Sequence, residues 1–183
     1  MTSFVHLRLH TEYSLIDGLL RIRPALNRVA ELGMPAVAIT DHHNFFGLVK
    51  AYKAAAELGI KLIVGADVHV VDPHDHERYF ELCLLAQNET GYQNLMLLLS
   101  RSYQQGQYLG RPRVQQEWVA ESAEGLIALS GGRQGDIGQA LLNGREADAQ
   151  AALERWQQSF ADRFYIELQR TGRPGEEDYL HAA

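Results

Sequence analysis

Residues 36–44 read AVAITDHHN, a short apolar run followed at once by four polar residues. The apolar part has the length and composition of a buried β-strand, which we predict over Ala36–Thr40. Helical patterns flank this strand, one beginning near Pro24 and stopping at Gly33, the other ending at Gly59. A strand between two helices predicts crossover connections, and hence a mainly parallel sheet that is open or closed into a barrel.

The same alternation of short apolar runs and helical patterns continues along the chain. Further runs rich in Val, Ile, Leu or aromatic residues predict strands at Phe4–His10, Lys61–Val71, Tyr79–Gln87, Gly125–Ser130 and Phe164–Gln169. Helical spacing predicts helices after Thr90, over 149–160 and near Glu176. The polar segment 71–78 is predicted to be a surface hairpin loop. The fold class is therefore α/β.

Composition excludes several classes of protein. The chain has 183 residues, of which 46% are hydrophobic, enough for one domain over 1–183. A net charge of -6 argues against a nucleic-acid clamp, and no apolar run approaches the ~18 residues needed to cross a bilayer. The single Cys83 excludes an intramolecular disulfide framework, and the N-terminus lacks the pattern of a signal peptide. We expect a cytoplasmic domain that does not contact membranes. The last helix lacks a stop signal, which slightly favours an excerpt from a longer protein.

Polar residues cluster where the predicted strands end, the edge that forms the active site in parallel α/β folds. On the first strand, alternation places His6, Arg8 and His10 on one face. Later strands supply the other candidates, which are Asp41, His42, Asp67, His69, Glu81 and Arg170. Imidazole and carboxylate groups on one rim could hold a divalent metal that activates water.

Arg8 argues against a working metal centre. A guanidinium is permanently protonated, so it cannot be a ligand and it repels a nearby cation. We expect it to pair with Asp41 or Asp67, and we favour a charge-paired pocket over a metal site. His74 and His76 are better explained by a solvated loop. The glycine-rich segment 130–136 matches neither the Walker nor the dinucleotide spacing, so an anion-binding turn and a plain turn remain open.

Six motifs together resemble one known family. They are HLRLHTEYSLIDGL from His6, AITDHHNFFGLVKAY from Ala38, IVGADV from Ile63, LLAQNETGYQNL from Leu84, IALSGGRQGDI from Ile127 and FYIELQRTGRP from Phe164. In order and spacing they resemble the polymerase-and-histidinol-phosphatase (PHP) domain at the N-terminus of bacterial DNA polymerase III alpha subunits. The resemblance implies a distorted, TIM-like (β/α)7 barrel cut before its last strand. It also implies a polymerase module beyond residue 183, with catalytic aspartates and Mg²⁺.

The ligand set of metal-binding family members is incomplete in this sequence. His10, Asp41 and His42 stand where the family places ligands, whereas Asp67 replaces the usual glutamate and Arg8 the first histidine of a His-x-His pair. The remaining departures are Glu81 in place of a histidine and Arg170-Thr171 in place of an Asp-His pair. The chain thus resembles the subgroup whose domain has lost hydrolytic activity.

That subgroup implies a role without catalytic residues or cofactor in this segment. The vestigial pocket would comprise Arg8, His10, Asp41, His42, Asp67, Glu81 and Arg170. The parent chain would be a DNA-directed DNA polymerase that binds DNA through its other modules. This domain would stabilise the polymerase and dock the proofreading exonuclease subunit, alongside other polymerase III subunits.

Two enzymatic alternatives remain open. One is a metal-dependent 3′→5′ exonuclease or phosphoesterase, with Zn or Mn held by His10, Asp41, His42 and Asp67. The other is a free-standing enzyme similar to histidinol phosphatase. The stretches GYQNL at 91–95 and TGRP at 171–174 resemble the polymerase branch instead, which makes the free-standing enzyme the weaker alternative.

Overall fold

The computed structural model of the chain describes residues 4–15 and 17–183. The chain forms two compact units, residues 1–67 and residues 68–183. In the described part of the chain, no helix combines the length and the apolar character that spanning a bilayer requires.

The first unit is a small helix–strand assembly around one apolar core. Its elements are α1 (Ile22–Glu31), β1 (Ala36–Ile39), α2 (Leu48–Glu57) and the first part of β2 (Lys61–Asp72). The strands β1 and β2 pair in parallel, from Ala36 opposite Lys61 to Ile39 opposite Val64. The core is built from Ile22, Leu26, Val29, Val37, Ile39, Ala51, Ala54, Ala55 and Ile60. Because the two strands are parallel, the polar residues after β1 reach the same edge as Asp67.

The predicted first strand, Phe4–His10, is not a regular strand. Only an isolated bridge joins His6 to Val37, and the carbonyls of His6 and Leu9 accept from the amides of Ala38 and Thr40. The two acceptors are three residues apart, whereas the two donors are two apart. This segment therefore carries one extra residue, which breaks the ladder as a bulge does. The predicted alternation fails for the same reason: His6 is exposed, while Arg8 and His10 are half-buried.

The second unit contains the remaining strands and helices. After the end of β2 follow β3 (Asp75–Ala86), α3 (Glu89–Gln105), α4 (Gln116–Glu121), β4 (Leu126–Leu129), α5 (Asp136–Leu142), α6 (Glu146–Phe160), β5 (Phe164–Tyr165) and α7 (Glu176–Ala182). The strands β3 and β4 are antiparallel, and β4 and β5 are parallel. Cys83 is fully buried in β3, as expected of an apolar strand residue.

Most predicted elements are confirmed, with three corrections in the second unit. The polar segment 71–78 is mostly strand, because Pro73 and His74 form the whole turn between β2 and β3. The sheet is more mixed than predicted, because β3 and β4 run antiparallel. The strand predicted over Phe164–Gln169 ends at Tyr165, where pairing with β4 stops. The six-residue helix α4 was not predicted, since it is too short to show a period. The fold class, α/β, is confirmed.

Candidate functional site

Asp67 is the centre of the candidate site in the first unit. Its side chain is fully buried, and Oδ2 accepts a hydrogen bond from Arg8 Nε at 2.6 Å. His10 Nε2 lies 2.6 Å from the same oxygen and donates to it when that nitrogen carries the proton. Of the two partners that the sequence left open for Arg8, the structure pairs it with Asp67. The short distances are typical of charge-assisted hydrogen bonds.

The charges of this cluster shift the pKa values of its members. Burial alone would raise the pKa of Asp67, but the charge of Arg8 and the hydrogen bond from His10 outweigh it and lower the pKa to about 2. Burial alone would lower the pKa of His10, but the hydrogen bond to Asp67 and its charge raise it above the ordinary value. Both shifts favour an ionised pair, so the pocket is electrostatically satisfied by the protein's own side chains.

Asp41 has a different role from Asp67, because its two oxygens hold a backbone turn. Oδ1 accepts from the Thr11 amide at 2.6 Å and from Ser14 Oγ at 2.6 Å, and Oδ2 accepts from Thr11 Oγ1 at 2.7 Å. Asp41, Thr11 and Ser14 are all buried. Three donors on one buried carboxylate fix the turn at residues 11–14 against the end of β1.

His42 and its neighbours line the same edge. The His42 ring lies 4.3 Å from the His10 ring, centroid to centroid, and its Nε2 is 3.5 Å from Asp17 Oδ2. The following residue, His43, has a φ of +52° and donates its amide to the Asp67 carbonyl at 2.9 Å. Asn44 then donates to the Tyr13 carbonyl. The polar segment after β1 is therefore fixed in place by hydrogen bonds.

Three side chains of the first unit come close enough to share a metal ion. The ligand atoms of His10, His42 and Asp67 all lie within 4.8 Å of one another, and buried Asp67 Oδ1 has no hydrogen-bond partner in the described part of the chain. Three such donors plus water match a catalytic zinc site in number. In the observed arrangement, however, Asp67 Oδ2 is bound by Arg8 and His10 together. The donor set is present, but the guanidinium occupies its central oxygen and adds a repelling charge, so the residues as arranged do not fit a metal ion.

The other two predicted pocket residues lie in the second unit. Glu81 is half-buried in β3, and Arg170 is exposed after β5. The neighbouring Thr171 donates its amide at 2.7 Å, and its hydroxyl, to the carboxylate of Glu176. This hydrogen bonding lowers the pKa of Glu176. The membership of Glu81 and Arg170 in one pocket with Asp67 stays a prediction.

Sequence reasoning missed the residues that support Asp41. Thr11 and Ser14 bind its carboxylate, and Asp17 lies beside His42. A signal existed for Thr11, because a threonine directly before Glu12 is typical of an N-cap, and it does cap the short 3-10 helix that follows. No spacing rule connects this turn to Asp41, since the contact joins residues 30 positions apart.

The pKa shifts predict how the stability of the domain depends on pH. Asp67 has a depressed pKa, so its contribution is complete above pH 3.8 and is lost as the pH falls toward 2. His10 has a raised pKa, so its contribution is complete below pH 6.5 and is lost as the pH rises through the raised value. We expect the free energy of unfolding to decline from pH 6 to pH 8 in urea titrations followed by circular dichroism.

A His10→Gln variant should flatten this decline, while His74→Gln, at an exposed histidine, should leave it unchanged. If stability declined equally in the His10→Gln variant and in the parent, His10 would not be the group responsible for the loss of stability between pH 6 and pH 8.

The fold and the site define an α/β domain with histidines and carboxylates at the ends of parallel strands. The PHP domain family matches residues 6–171, and the chain belongs to this family. DNA polymerase III subunit alpha of Pseudomonas aeruginosa is 52% identical over 181 residues, which is 99% of this chain and 15% of that protein. The Escherichia coli K12 subunit is 51% identical over 180 residues, 98% of this chain and 16% of that protein. The chain thus spans about a sixth of the length of these relatives.

Solved structures share the fold at low sequence identity. A protein from Bifidobacterium adolescentis, provisionally assigned as a metal-dependent phosphoesterase, has a TM-score of 0.63 and 15% identity over all of this chain and 84% of its own. An amidohydrolase from Chromobacterium violaceum with bound sulfate has a TM-score of 0.57 and 17% identity, covering 97% of this chain and 80% of its own. Both share the α/β architecture of this chain.

Proposed function

We propose that this chain, residues 1–183, is the PHP domain of a DNA polymerase III alpha subunit and that the domain is a non-catalytic scaffold. It stabilises the polymerase chain and docks the proofreading exonuclease subunit, while DNA and Mg²⁺ are bound by modules outside this chain. The identity of about half of all positions to polymerase subunits from two bacteria supports the placement in that protein. The cytoplasm, where replication takes place in bacteria, is the proposed location.

The observation that carries the scaffold role is the shared use of one oxygen, Asp67 Oδ2, by Arg8 and His10. A hydrolytic metal centre needs deprotonated ligands around an open coordination position. Here His10 is stabilised in its protonated form, and a permanent cation lies beside the carboxylate. The pocket is therefore better suited to holding β2 at Asp67 against the segment before β1 than to activating water.

A metal-binding comparison of the full-length subunit tests the scaffold role. We expect the parent protein to retain no stoichiometric Zn or Mn after dialysis and to show no metal-dependent hydrolysis of bis(p-nitrophenyl) phosphate. Arg8→His removes the repelling charge and adds an imidazole, so it should tighten Zn binding about tenfold or more. Arg21→His, at an exposed arginine of the same unit, is the matched control and should change nothing.

One outcome would overturn the proposal directly. Stoichiometric metal in the parent protein, with phosphodiesterase activity that His10→Ala abolishes, would show a catalytic domain. Failure of Arg8→His to tighten Zn binding would mean that the guanidinium is not what opposes the metal.

A metal-dependent phosphoesterase or 3′→5′ exonuclease is the second candidate function. The closeness of His10, His42 and Asp67 and the unpartnered Asp67 Oδ1 favour it. In that case His10, His42 and Asp67 would hold the Zn or Mn ion, which would supply an activated water, and Arg8 would stabilise negative charge on the phosphate. Asp41 would join this set only by giving up Thr11 and Ser14, so we place it outside the ligand set.

A further inference from the structure

A cleft in the second unit lies beside the turn between β2 and β3 and is also lined by the helices α5 and α6. Its volume is about 140 Å³, and its apolar lining is formed by Phe80, Ala140, Ala151 and Ala152. A cavity of about 150 Å³ accommodates a benzene molecule. This space, here called the α6 cleft, therefore has room for a ligand of about six heavy atoms.

Four of the charged side chains that line the α6 cleft form two ion pairs with each other. Arg155 Nη2 donates to Asp136 Oδ2 at 2.9 Å, and Trp156 Nε1 donates to the same oxygen at 2.9 Å. Arg145 Nη1 donates to Asp148 Oδ2 at 3.0 Å. The two arginines and these two aspartates therefore give the cleft no net charge.

Asp72 also lines the α6 cleft, and its carboxylate has no counter-ion. Asp72 is only 7% exposed, and its Oδ1 accepts a hydrogen bond from the His74 amide at 2.9 Å. Among the residues that the structure describes, no Lys, Arg or His pairs with this carboxylate, and no donor reaches its Oδ2. A buried carboxylate without a compensating charge is costly. With His74 neutral, the cleft thus keeps one uncompensated negative charge.

From this combination we propose that the α6 cleft binds a primary ammonium group carried on a short alkyl chain. The ammonium group pairs with Asp72, and the alkyl chain packs on the apolar lining around Phe80. An aliphatic ammonium group stays protonated at neutral pH and offers three donors, so it can satisfy the free Asp72 oxygen.

A metal ion suits the α6 cleft less well than an organic cation. Hard divalent cations need several oxygen ligands, whereas the carboxylates of Asp136 and Asp148 are already bound by arginines. In the described part of the chain, the group of side chains close enough to share a metal ion is His10, His42 and Asp67, none of which lines this cleft. The inference therefore goes beyond the proposed function and does not depend on it.

Titration of the full-length polymerase subunit with n-butylammonium chloride, at constant ionic strength, tests the inference by calorimetry. We expect saturable binding, and 1-butanol, which has the same chain without the charge, should bind about tenfold more weakly or less. Asp72→Asn keeps the acceptor for the His74 amide and removes the charge, so it should weaken amine binding about tenfold or more.

Asp75→Asn is the matched control. Asp75 is exposed and accepts the amide of Glu77, two residues ahead, just as Asp72 accepts that of His74, but it does not line the α6 cleft. This variant should bind the amine as the parent does. Ala151→Leu, at an exposed position of the lining, should narrow the cleft and also weaken binding about tenfold. Thermal melts show whether each variant is folded.

A second probe, Nα-acetyl-lysine methylamide, distinguishes a free amine from the lysine side chain of a partner protein. Tighter binding of this probe than of butylammonium would support the site and assign it to a lysine side chain, and weaker binding would support it and assign it to a free amine. Absence of saturable binding by the parent subunit would overturn the inference. So would equal binding of 1-butanol, or unchanged affinity in folded Asp72→Asn and Ala151→Leu. Each of these failures would leave the proposed scaffold role intact.

Discussion

Replacing Asp67 with asparagine is expected to lower the free energy of unfolding by about 3 kcal/mol, because it removes the buried negative charge that both Arg8 and His10 contact. The Asp67 side chain is fully buried, and those of Arg8 and His10 are 14% and 22% exposed, so water replaces little of the lost interaction. The lowered pKa of Asp67 supports a stabilisation of similar size, because a shift from 3.8 to about 2 corresponds to about 2 kcal/mol at neutral pH. Urea unfolding at pH 6 measures the effect.

An exposed ion pair provides the matched control for this prediction. Arg23 and Glu57 form a pair whose side chains are 52% and 60% exposed. Glu57→Gln should therefore change the stability by less than about 1 kcal/mol. If Glu57→Gln and Asp67→Asn cost the same, the Asp67 cluster would not be the electrostatic centre of the first unit. A double-mutant cycle of Arg8→Gln with Asp67→Asn isolates the contribution of the pair itself.

The second large effect is expected for Asp41→Ala, which should destabilise the domain by about 3 kcal/mol. Its buried carboxylate accepts three hydrogen bonds, and its loss leaves the buried hydroxyls of Thr11 and Ser14 without their acceptor. The turn at residues 11–14 should loosen as well, which faster hydrogen exchange of its amides would show. Chemical unfolding measures the loss in the free energy of unfolding, and hydrogen exchange shows which amides lose protection.

Conservative variants separate geometry from charge at Asp41. Asp41→Asn keeps the Oδ1 acceptor for the Thr11 amide and Ser14, so it should cost only about 1 kcal/mol. Thr11→Val removes the hydroxyl donor to Asp41 and also the acceptor for the Tyr13 amide, so it should cost about 1 to 2 kcal/mol. A loss as large for Asp41→Asn as for Asp41→Ala would mean that the negative charge, and not the hydrogen-bond pattern, is what the fold requires.

The two aspartates show why a metal-type motif can persist in a domain that we propose to be non-catalytic. Asp41 organises the turn that follows the first segment, and Asp67, within the strand β2, pairs with Arg8 and His10. Both functions stabilise the fold without a metal. Loss of either residue would be costly even where no hydrolysis is performed, so the presence of these residues is not by itself evidence of catalysis.

Local sequence patterns were sufficient to predict the fold class and most of its elements. The apolar run at Ala36–Ile39 is a buried strand, and α1 and α2 lie where the helical patterns predicted them. Local spacing also identified the residue types of the site. The predicted alternation was wrong for Phe4–His10, because alternation of side chains assumes regular strand pairing. This segment has one extra residue between the two carbonyls that pair with β1, and only the position of the partner strand reveals it.

The sequence by itself determined that a guanidinium, two imidazoles and two carboxylates lie within or directly after short apolar segments, because composition and polarity are properties of each segment alone. Only the tertiary structure decided between Asp41 and Asp67 as the partner of Arg8. That choice depends on the register between segments 59 residues apart, and Thr11 and Ser14 occupy the carboxylate oxygens of Asp41. Long-range register is fixed by the packing of the whole unit, and no local pattern encodes it.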